Sequence, residues 1–108
     1  MISFDTFAAT ELKIGTIREA ARIEGSEKLL KLSVDLGEST PRTICAGIGL
    51  SYTPESLVST QVTVVANLEP RKLMGIESQG MLLATHSEDG SLSLVRPEKP
   101  TAPGSSVS

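Results

Sequence analysis

Hydrophobic and polar residues alternate most regularly over residues 29–36, which read Leu-Leu-Lys-Leu-Ser-Val-Asp-Leu. Successive side chains of a β-strand point to opposite faces, so a period of two predicts a strand with one buried face. The apolar face of this strand is predicted to consist of Leu30, Leu32, Val34 and Leu36. The segment is therefore the clearest strand in the chain.

Five further segments are predicted as strands by alternation or by a high content of β-branched residues. They are residues 12–20, 42–47, 61–66, 81–85 and 92–95. Gly15 lies inside the first of these strands, where it predicts a bulge or a bend. The two sides of that strand are predicted as Leu12, Ile14 and Thr16 against Lys13, Ile17 and Glu19.

A short helix is predicted between the third and fourth strands. Thr53 is its expected cap and Pro54 its first residue, where a missing N–H has no cost. Three strands, a helix and further strands are the order of an OB fold, an all-β, five-stranded barrel. We therefore predict one OB-fold domain over residues 1–108, with a C-terminal extension whose Pro/Gly/Ser-rich tail, residues 97–108, is irregular and mobile at its end.

Composition narrows the cellular setting and the chemistry. A chain of 108 residues has room for one core, and it contains no apolar run of about 20 residues and no signal-peptide pattern. We expect a cytoplasmic protein without membrane association. The single cysteine, Cys45, excludes an internal disulfide, and together with the single histidine, His86, it leaves too few ligands for a common zinc site. Neither a metal nor another cofactor is expected.

The residues capable of nucleophilic catalysis are poorly placed for it. Cys45 lies between Ile44 and Ala46 in a predicted strand, as a small buried side chain would. His86 lies beside an acidic turn, where a solvated side chain is the simpler interpretation. Ser78 lacks the Gly-x-Ser-x-Gly pattern of a nucleophile elbow. The sequence therefore predicts a protein that is not an enzyme.

Charge is unevenly distributed along the chain. A net charge of -3 argues against binding nucleic acid through bulk positive charge. Local cations nevertheless occur at Lys28, Lys31, Arg42, Arg71 and Lys72. Pro70 is expected to fix a turn that presents Arg71 and Lys72 together to a phosphate backbone. The alternative is that these side chains are simply solvated, with Arg42 pairing across strands with Asp35.

Polar side chains with directional hydrogen bonds follow the fourth strand. Asn67, Ser78 and Gln79 are predicted to lie in or beside an irregular, glycine-bounded loop, where they would face a ligand. The alternative is turn chemistry, in which Asn67 and Ser78 bond their own backbone. Met74 and Met81 are either core residues or flexible contacts for a base or ribose.

Aromatic residues restrict the kind of nucleic acid that fits. Phe4, Phe7 and Tyr52 are the only three, and all lie outside the predicted strands. A platform that stacks successive unpaired bases needs aromatic side chains on the sheet, so a binder of single strands is disfavoured. Folded RNA, recognised by its shape and backbone, needs no such platform.

Several motifs together resemble one known family. They are Leu12-x-Ile14-Gly15-x-Ile17, Lys28 to Leu32, Cys45 to Ile48, Tyr52-x-Pro54-Glu55-x-Leu57 and the long signature Asn67 to Ala84. Over nearly its whole length the chain resembles the tRNA-binding domain of methionyl-tRNA synthetases and of small stand-alone dimeric tRNA-binding proteins. The resemblance implies an OB fold, binding of tRNA by its folded shape, a homodimer formed through elements added to the barrel, and an aminoacyl-tRNA synthetase as a further partner.

The resemblance also implies which residues face RNA. They are Lys28, Lys31, Arg42, Asn67, Arg71, Lys72, Ser78, Gln79 and Met81. Glu69 and the acidic balance depart from the more basic members of the family. Two alternatives therefore stay open, a protein-export-type chaperone of the same fold and a dimerisation module without RNA affinity. Chaperone relatives diverge around residues 72–81, where this chain keeps the signature.

Overall fold

The computed structural model describes residues 1–108 as a five-stranded antiparallel barrel with short additions. The elements in chain order are α1 Phe4–Ala8, β1 Leu12–Arg22, β2 Leu30–Asp35, β3 Arg42–Ala46, α2 Pro54–Leu57, β4 Gln61–Val65, β5 Arg71–Leu73, β6 Ile76–Ser78, β7 Met81–Leu82, β8 Ala84–His86, β9 Leu92–Leu94 and β10 Ser106–Val107. The barrel strands run in the order β3-β2-β1-β4-β7. The predicted OB-type barrel, with its helix between the third and fourth strands, is confirmed.

The barrel interior is filled by the alternating apolar residues of the strands. Leu30, Leu32 and Val34 of β2 are fully buried, as the period of two predicts. Ile17, Ile44, Val62 and Val64 join them from β1, β3 and β4, and Leu57 is added from α2. Burying an aliphatic side chain of this size stabilises the fold by roughly 1.5–3 kcal/mol, so this core is the main source of stability. No helix has the length and apolar content that crossing a membrane requires.

The irregularity of β1 lies at Arg18, and the prediction of a bulge or bend at Gly15 is wrong. Gly15 pairs regularly with Val62, whereas the register with β2 shifts between Ile17 and Glu19. Gly15 is required for a different reason, because a Cβ there would lie 2.5 Å from Cγ1 of Val34. The bulge also places Ile17 and Glu19 on different faces of β1, with Ile17 buried and Glu19 exposed, whereas the sequence predicts them on the same face.

The segment predicted as a single strand over residues 81–85 divides into β7 and β8. Leu83 lies between them, and its N–H donates to Thr63 while its carbonyl accepts from Val95. The chain therefore leaves the barrel at Leu83 and pairs with β9 in a separate two-stranded sheet.

The C-terminal strap, defined as residues 101–108, is bound to the barrel. β10 pairs with β1 through Leu12 and Lys13, and the amide of Gly104 donates to the carbonyl of Ile14 at 2.7 Å. Gln61 adds two side-chain hydrogen bonds to the backbone of Thr101. The tail is irregular as predicted, except at β10, whose pairing with β1 joins residues 95 positions apart in the chain.

Candidate nucleic-acid interface

The signature after β4 forms a hairpin, so the prediction of an irregular loop is wrong. β5 and β6 pair antiparallel, and only Met74 and Gly75 connect them. Both connecting residues have positive φ, 52° and 79° respectively. These values are those of a type I′ turn, a two-residue connection whose backbone twist matches the twist of the flanking strands. The hairpin lies against β3 and presents its outer face to solvent.

Arg71 and Lys72 lie on opposite faces of this hairpin. Arg71 is opposite Ser78, which is only 3% exposed against β3, whereas Lys72 is opposite the exposed Glu77. Neighbouring residues of a strand alternate between faces. Arg71 therefore lies on the side of the groove and Lys72 on the opposite side, and both side chains are exposed. The prediction that a proline-fixed turn presents the two cations together is wrong, because they lie in a strand with alternating faces.

Ser78 and Gln79 close the barrel at the edge of β3. The backbone N–H of Cys45 donates to Oγ of Ser78 at 3.0 Å, and that of Thr43 donates to Oε1 of Gln79 at 2.9 Å. The N–H of Gln79 in turn donates to the carbonyl of Thr43. Buried backbone donors need such partners, so two side-chain oxygens take the place of a neighbouring strand. Ser78 also donates to the carbonyl of Gly80, as the turn alternative predicts.

Asn67 connects the end of β4 to the N-terminal segment. Its Oδ1 accepts from the N–H of Glu11 at 2.9 Å, and its Nδ2 donates to the carbonyl of Ala9 at 2.8 Å. Both partners are more than 50 residues away in the chain. The alternative that Asn67 bonds its own backbone is wrong, and the side chain instead fixes the position of the residues after α1.

Arg42 makes its hydrogen bonds within the protein. Its guanidinium forms a bidentate pair with Glu38 at 2.9 and 2.8 Å. A further nitrogen donates to the carbonyls of Ala66 and Gln79. The hydrogen bond from Arg42 holds the pKa of Glu38 below its usual value. The alternative pairing of Arg42 with Asp35 is wrong, because Asp35 accepts from Arg18.

The remaining four predicted cations have no ion pair, since the two salt bridges in the structure use Arg18 and Arg42. These cations are Lys28, Lys31, Arg71 and Lys72. The stem of Lys28 lies over Gly47, with its Cε 3.2 Å from where a Cβ of that glycine would be. Lys31 is opposite Cys45 in the β2–β3 register. Arg71 and Lys72 come from the hairpin on β3, so these sequence-distant cations all belong to segments next to β3.

A groove of about 290 Å³ is lined by one of these cations, Arg71, and by Gly47, over which the stem of Lys28 lies. Most of its lining is apolar, and the lining comprises residues 45–48, Arg71, residues 81–84, His86, Leu92 and Leu94. Met81 is 43% exposed and lines both this groove and a neighbouring cleft that contains Glu69. The structure therefore brings Met81 and Arg71 together at the junction of the two.

Cys45 and His86 both line the groove, but no hydrogen bond joins them. Burial raises the pKa of the Cys45 thiol, although Lys31 acts in the opposite direction. A raised pKa disfavours the thiolate that nucleophilic chemistry requires. The interpretation of Cys45 as a packing residue is therefore the better one.

Sequence reasoning missed Gly47 and the groove position of His86. Gly47 follows β3 directly, and its position at a strand end was the available signal, since glycine there permits a close approach to the backbone. His86 carried no such signal. Its place in the groove depends on the pairing of His86 with Leu92, which forms a separate hairpin.

Comparisons with known proteins agree with this architecture. Residues 12–106 match the family model described as "Putative tRNA binding domain". The chain belongs to this family. Its relatives include methionine-tRNA ligases, at 52% identity over 107 residues for Helicobacter pylori strain J99 and 49% over 106 residues for Methanocella arvoryzae. The matches cover 99% and 98% of this chain but only 16% and 15% of those proteins, so it spans about a sixth of their length.

Two solved structures are similar over their full length. A MetRS related protein from Pyrococcus horikoshii is 36% identical with a TM-score of 0.92, and the match covers 99% of this chain and 97% of that one. The chaperone CsaA from Bacillus anthracis is 29% identical with a TM-score of 0.90, covering 100% and 99%. The fold is thus common to a MetRS related protein and to a chaperone.

Proposed function

We propose that this protein binds folded tRNA without catalysing a reaction, through the groove and the cations around it. The observation that carries the proposal is that four cations near β3 are free of ion pairs on an acidic molecule. Arg71 lines the groove, Lys28 lies over Gly47 and Lys31 is opposite Cys45, two residues of the groove lining, while Lys72 follows Arg71 on the outer face of the hairpin. Free cations gathered on one surface attract phosphates, whereas paired ones are already neutralised. Membership of the tRNA-binding domain family supports the same conclusion.

The structure favours a division of roles among the nine residues predicted to face RNA. The four free cations would bind phosphates, and Met81 would lie against a ribose or base. Arg42, Asn67, Ser78 and Gln79 are better described as positioning residues, because their hydrogen bonds hold β3, the hairpin and the N-terminal segment together.

The proposal includes a homodimer that assists a synthetase or another step of tRNA handling. Residues 1–10 are all exposed, and α1 buries none of its residues. Ile2, Phe4 and Phe7 form an apolar stretch there, with Phe4 78% exposed. Exposed apolar surface of this kind is typical of an interface. Asn67 holds the residues after α1 on the barrel, so each copy would present α1 to its partner in the same position.

A chaperone activity is the second candidate. The observations that favour it are the similarity to the chaperone CsaA and the apolar lining of the groove, which would accept an unfolded segment. The cations around the groove favour an anionic ligand instead. We therefore place tRNA binding first.

The test is a titration of the protein with folded tRNA at two salt concentrations. A single-stranded RNA of equal length and an unfolded protein serve as competitors. We expect folded tRNA to bind in preference to both, and its affinity to fall as salt rises, because binding releases counterions from the phosphates. Absence of tRNA binding at low salt, with protection of the unfolded protein, would overturn the proposal in favour of the chaperone. Absence of both activities would leave a dimerisation module.

A further inference from the structure

The apolar floor of the groove has no role in holding phosphates. We infer that it takes one unpaired nucleobase of the bound tRNA, an inference that rests on the proposed function. The observations that carry it are the size of the groove, the types of side chain at its rim and the absence of a carboxylate from its lining.

The size of the groove suits a single base. Its volume of about 290 Å³ is at the lower end of the roughly 300–1,000 Å³ typical of ligand pockets. Gly47 has no side chain, so its backbone lines the groove directly, near Cys45. A volume of this size has room for one base rather than for a stack of successive bases, so a single base is the ligand that we infer.

The rim supplies groups that recognise a base and its flanking phosphates. Arg71 has a planar guanidinium, and such groups stack on bases as well as binding phosphates. Met81 adds a polarisable thioether that remains partly exposed. Lys28 lies over Gly47, beside the groove, where its ammonium group can bind a phosphate next to the base.

Charge complementarity favours a nucleotide over an apolar peptide. The charged side chain that lines the groove is Arg71, whereas Glu69 lies in the neighbouring cleft. Lys31 is opposite Cys45, which lines the groove, in the β2–β3 register. A ligand with a flat apolar part and adjacent negative charge satisfies both features, and a nucleotide has this chemistry.

The first test uses isotope-labelled full-length protein, titrated with adenosine monophosphate and, separately, with ribose 5-phosphate. We expect the monophosphate to shift the amide resonances of residues 45–48 and 82–84, and ribose 5-phosphate to shift them far less, because it has no base. Equal shifts from the two ligands would show phosphate binding alone and would overturn the inference. No shift in these residues, with tRNA still bound, would also overturn it.

The second test fills the groove. Ala84 pairs with Leu94 and lines the groove, whereas Thr85 pairs with Ser93 on the other face of the same hairpin. Ala84→Leu should lower tRNA affinity by roughly tenfold, the order expected for one stacked base. The slope of affinity against salt should not change, since no phosphate contact is lost. Thr85→Leu introduces the same leucine side chain outside the groove lining and should leave affinity unchanged.

The outcomes separate this inference from the proposed function. Unchanged affinity in Ala84→Leu, with salt-dependent tRNA binding intact, would remove the base from the groove and leave the phosphate interface standing. If wild-type protein binds no tRNA, the proposed function fails and the inference fails with it. The nucleotide titration uses the wild-type protein, so it decides the question even if Ala84→Leu does not fold.

Discussion

At the scale of single residues, hydrogen-bond partners decide what each polar side chain does. Ser78 and Gln79 are the residue types that a ligand site needs, yet their oxygens accept from backbone N–H groups of β3. Lys28 and Arg71 have no ion-pair partner and therefore stay available to a ligand. The predicted set thus contains two groups of residues, and different measurements distinguish them.

Ser78→Ala should destabilise the protein by about 1–3 kcal/mol. The substitution leaves the N–H of Cys45 buried without a partner, and this is the usual cost of an unsatisfied buried donor. Chemical denaturation measures the free energy of unfolding. Ser93→Ala, at an exposed strand serine, is the control and should change it little. Equal stabilities for the wild type and Ser78→Ala would contradict the structural role.

Acid should destabilise the fold in part through Asp35 and Glu38. Hydrogen bonds from Arg18 and Arg42 hold their pKa values below the ordinary 3.8 and 4.5. A carboxylate with a lowered folded-state pKa stabilises the fold above its unfolded pKa, and this contribution is lost as pH falls through the folded value. Unfolding measured from about pH 6 to about pH 3 should show the loss, and Glu38→Gln should reduce it. Glu55→Gln, without an ion pair, should retain the wild-type slope.

At the scale of elements, the β5–β6 hairpin determines which cations face which way. Its two-residue connection sets the register, and the register places Arg71 toward the groove and Lys72 toward solvent. The turn is strained, because Met74 adopts a φ of 52° that residues with a side chain rarely take. A substitution that tolerates positive φ at position 74 is therefore expected to change the stability of the hairpin.

Met74→Asn should stabilise the hairpin by a few tenths to about 1 kcal/mol, since asparagine tolerates the left-handed region. The Cε of Met74 lies 3.4 Å from where a Cβ of Gly25 would be, and loss of this approach offsets part of the gain. Thermal unfolding measures the effect. Met74→Val is a comparison variant with the opposite expected effect. It should lower the melting temperature, because a β-branched side chain is disfavoured at positive φ. The reverse order of the two variants would contradict the assigned turn.

At the scale of the whole molecule, charge is sorted so that an acidic protein keeps a cationic region. Of the ten lysines and arginines, Arg18 and Arg42 are neutralised by carboxylates, and the other eight, which include the four cations near β3, have no ion pair. A net charge of -3 opposes general attraction to nucleic acid, so the proposed binding depends on local cations. Few phosphate contacts and a measurable contribution from each cation are the expected consequence.

Lys72→Ala should weaken tRNA binding and lower the slope of log affinity against log salt by about one, because one phosphate contact is lost. The measurement is the tRNA titration repeated at several salt concentrations. Lys99→Ala removes an equal charge from the exposed segment before the strap, away from the groove lining, and should leave the slope unchanged. An unaltered slope in Lys72→Ala would remove Lys72 from the interface.

Phe4→Asp should convert the proposed dimer to monomer, because the exposed apolar surface of α1 would then carry a charge. Analytical ultracentrifugation over a range of concentrations measures the mass. Leu50→Asp is a matched control, since Leu50 is 74% exposed in a different loop. A wild-type protein that is monomeric at every concentration would contradict the dimer.

The sequence by itself determined the barrel strands, the helix between the third and fourth strands and the family. Alternation and caps are local patterns, and the burial of Leu30, Leu32 and Val34 follows from them directly. Only the tertiary structure decided the role of Ser78, the opposite faces of Arg71 and Lys72 and the binding of the strap to β1. Those outcomes depend on register and on partners far away in the chain, such as Ser78 with Cys45, which no local pattern encodes.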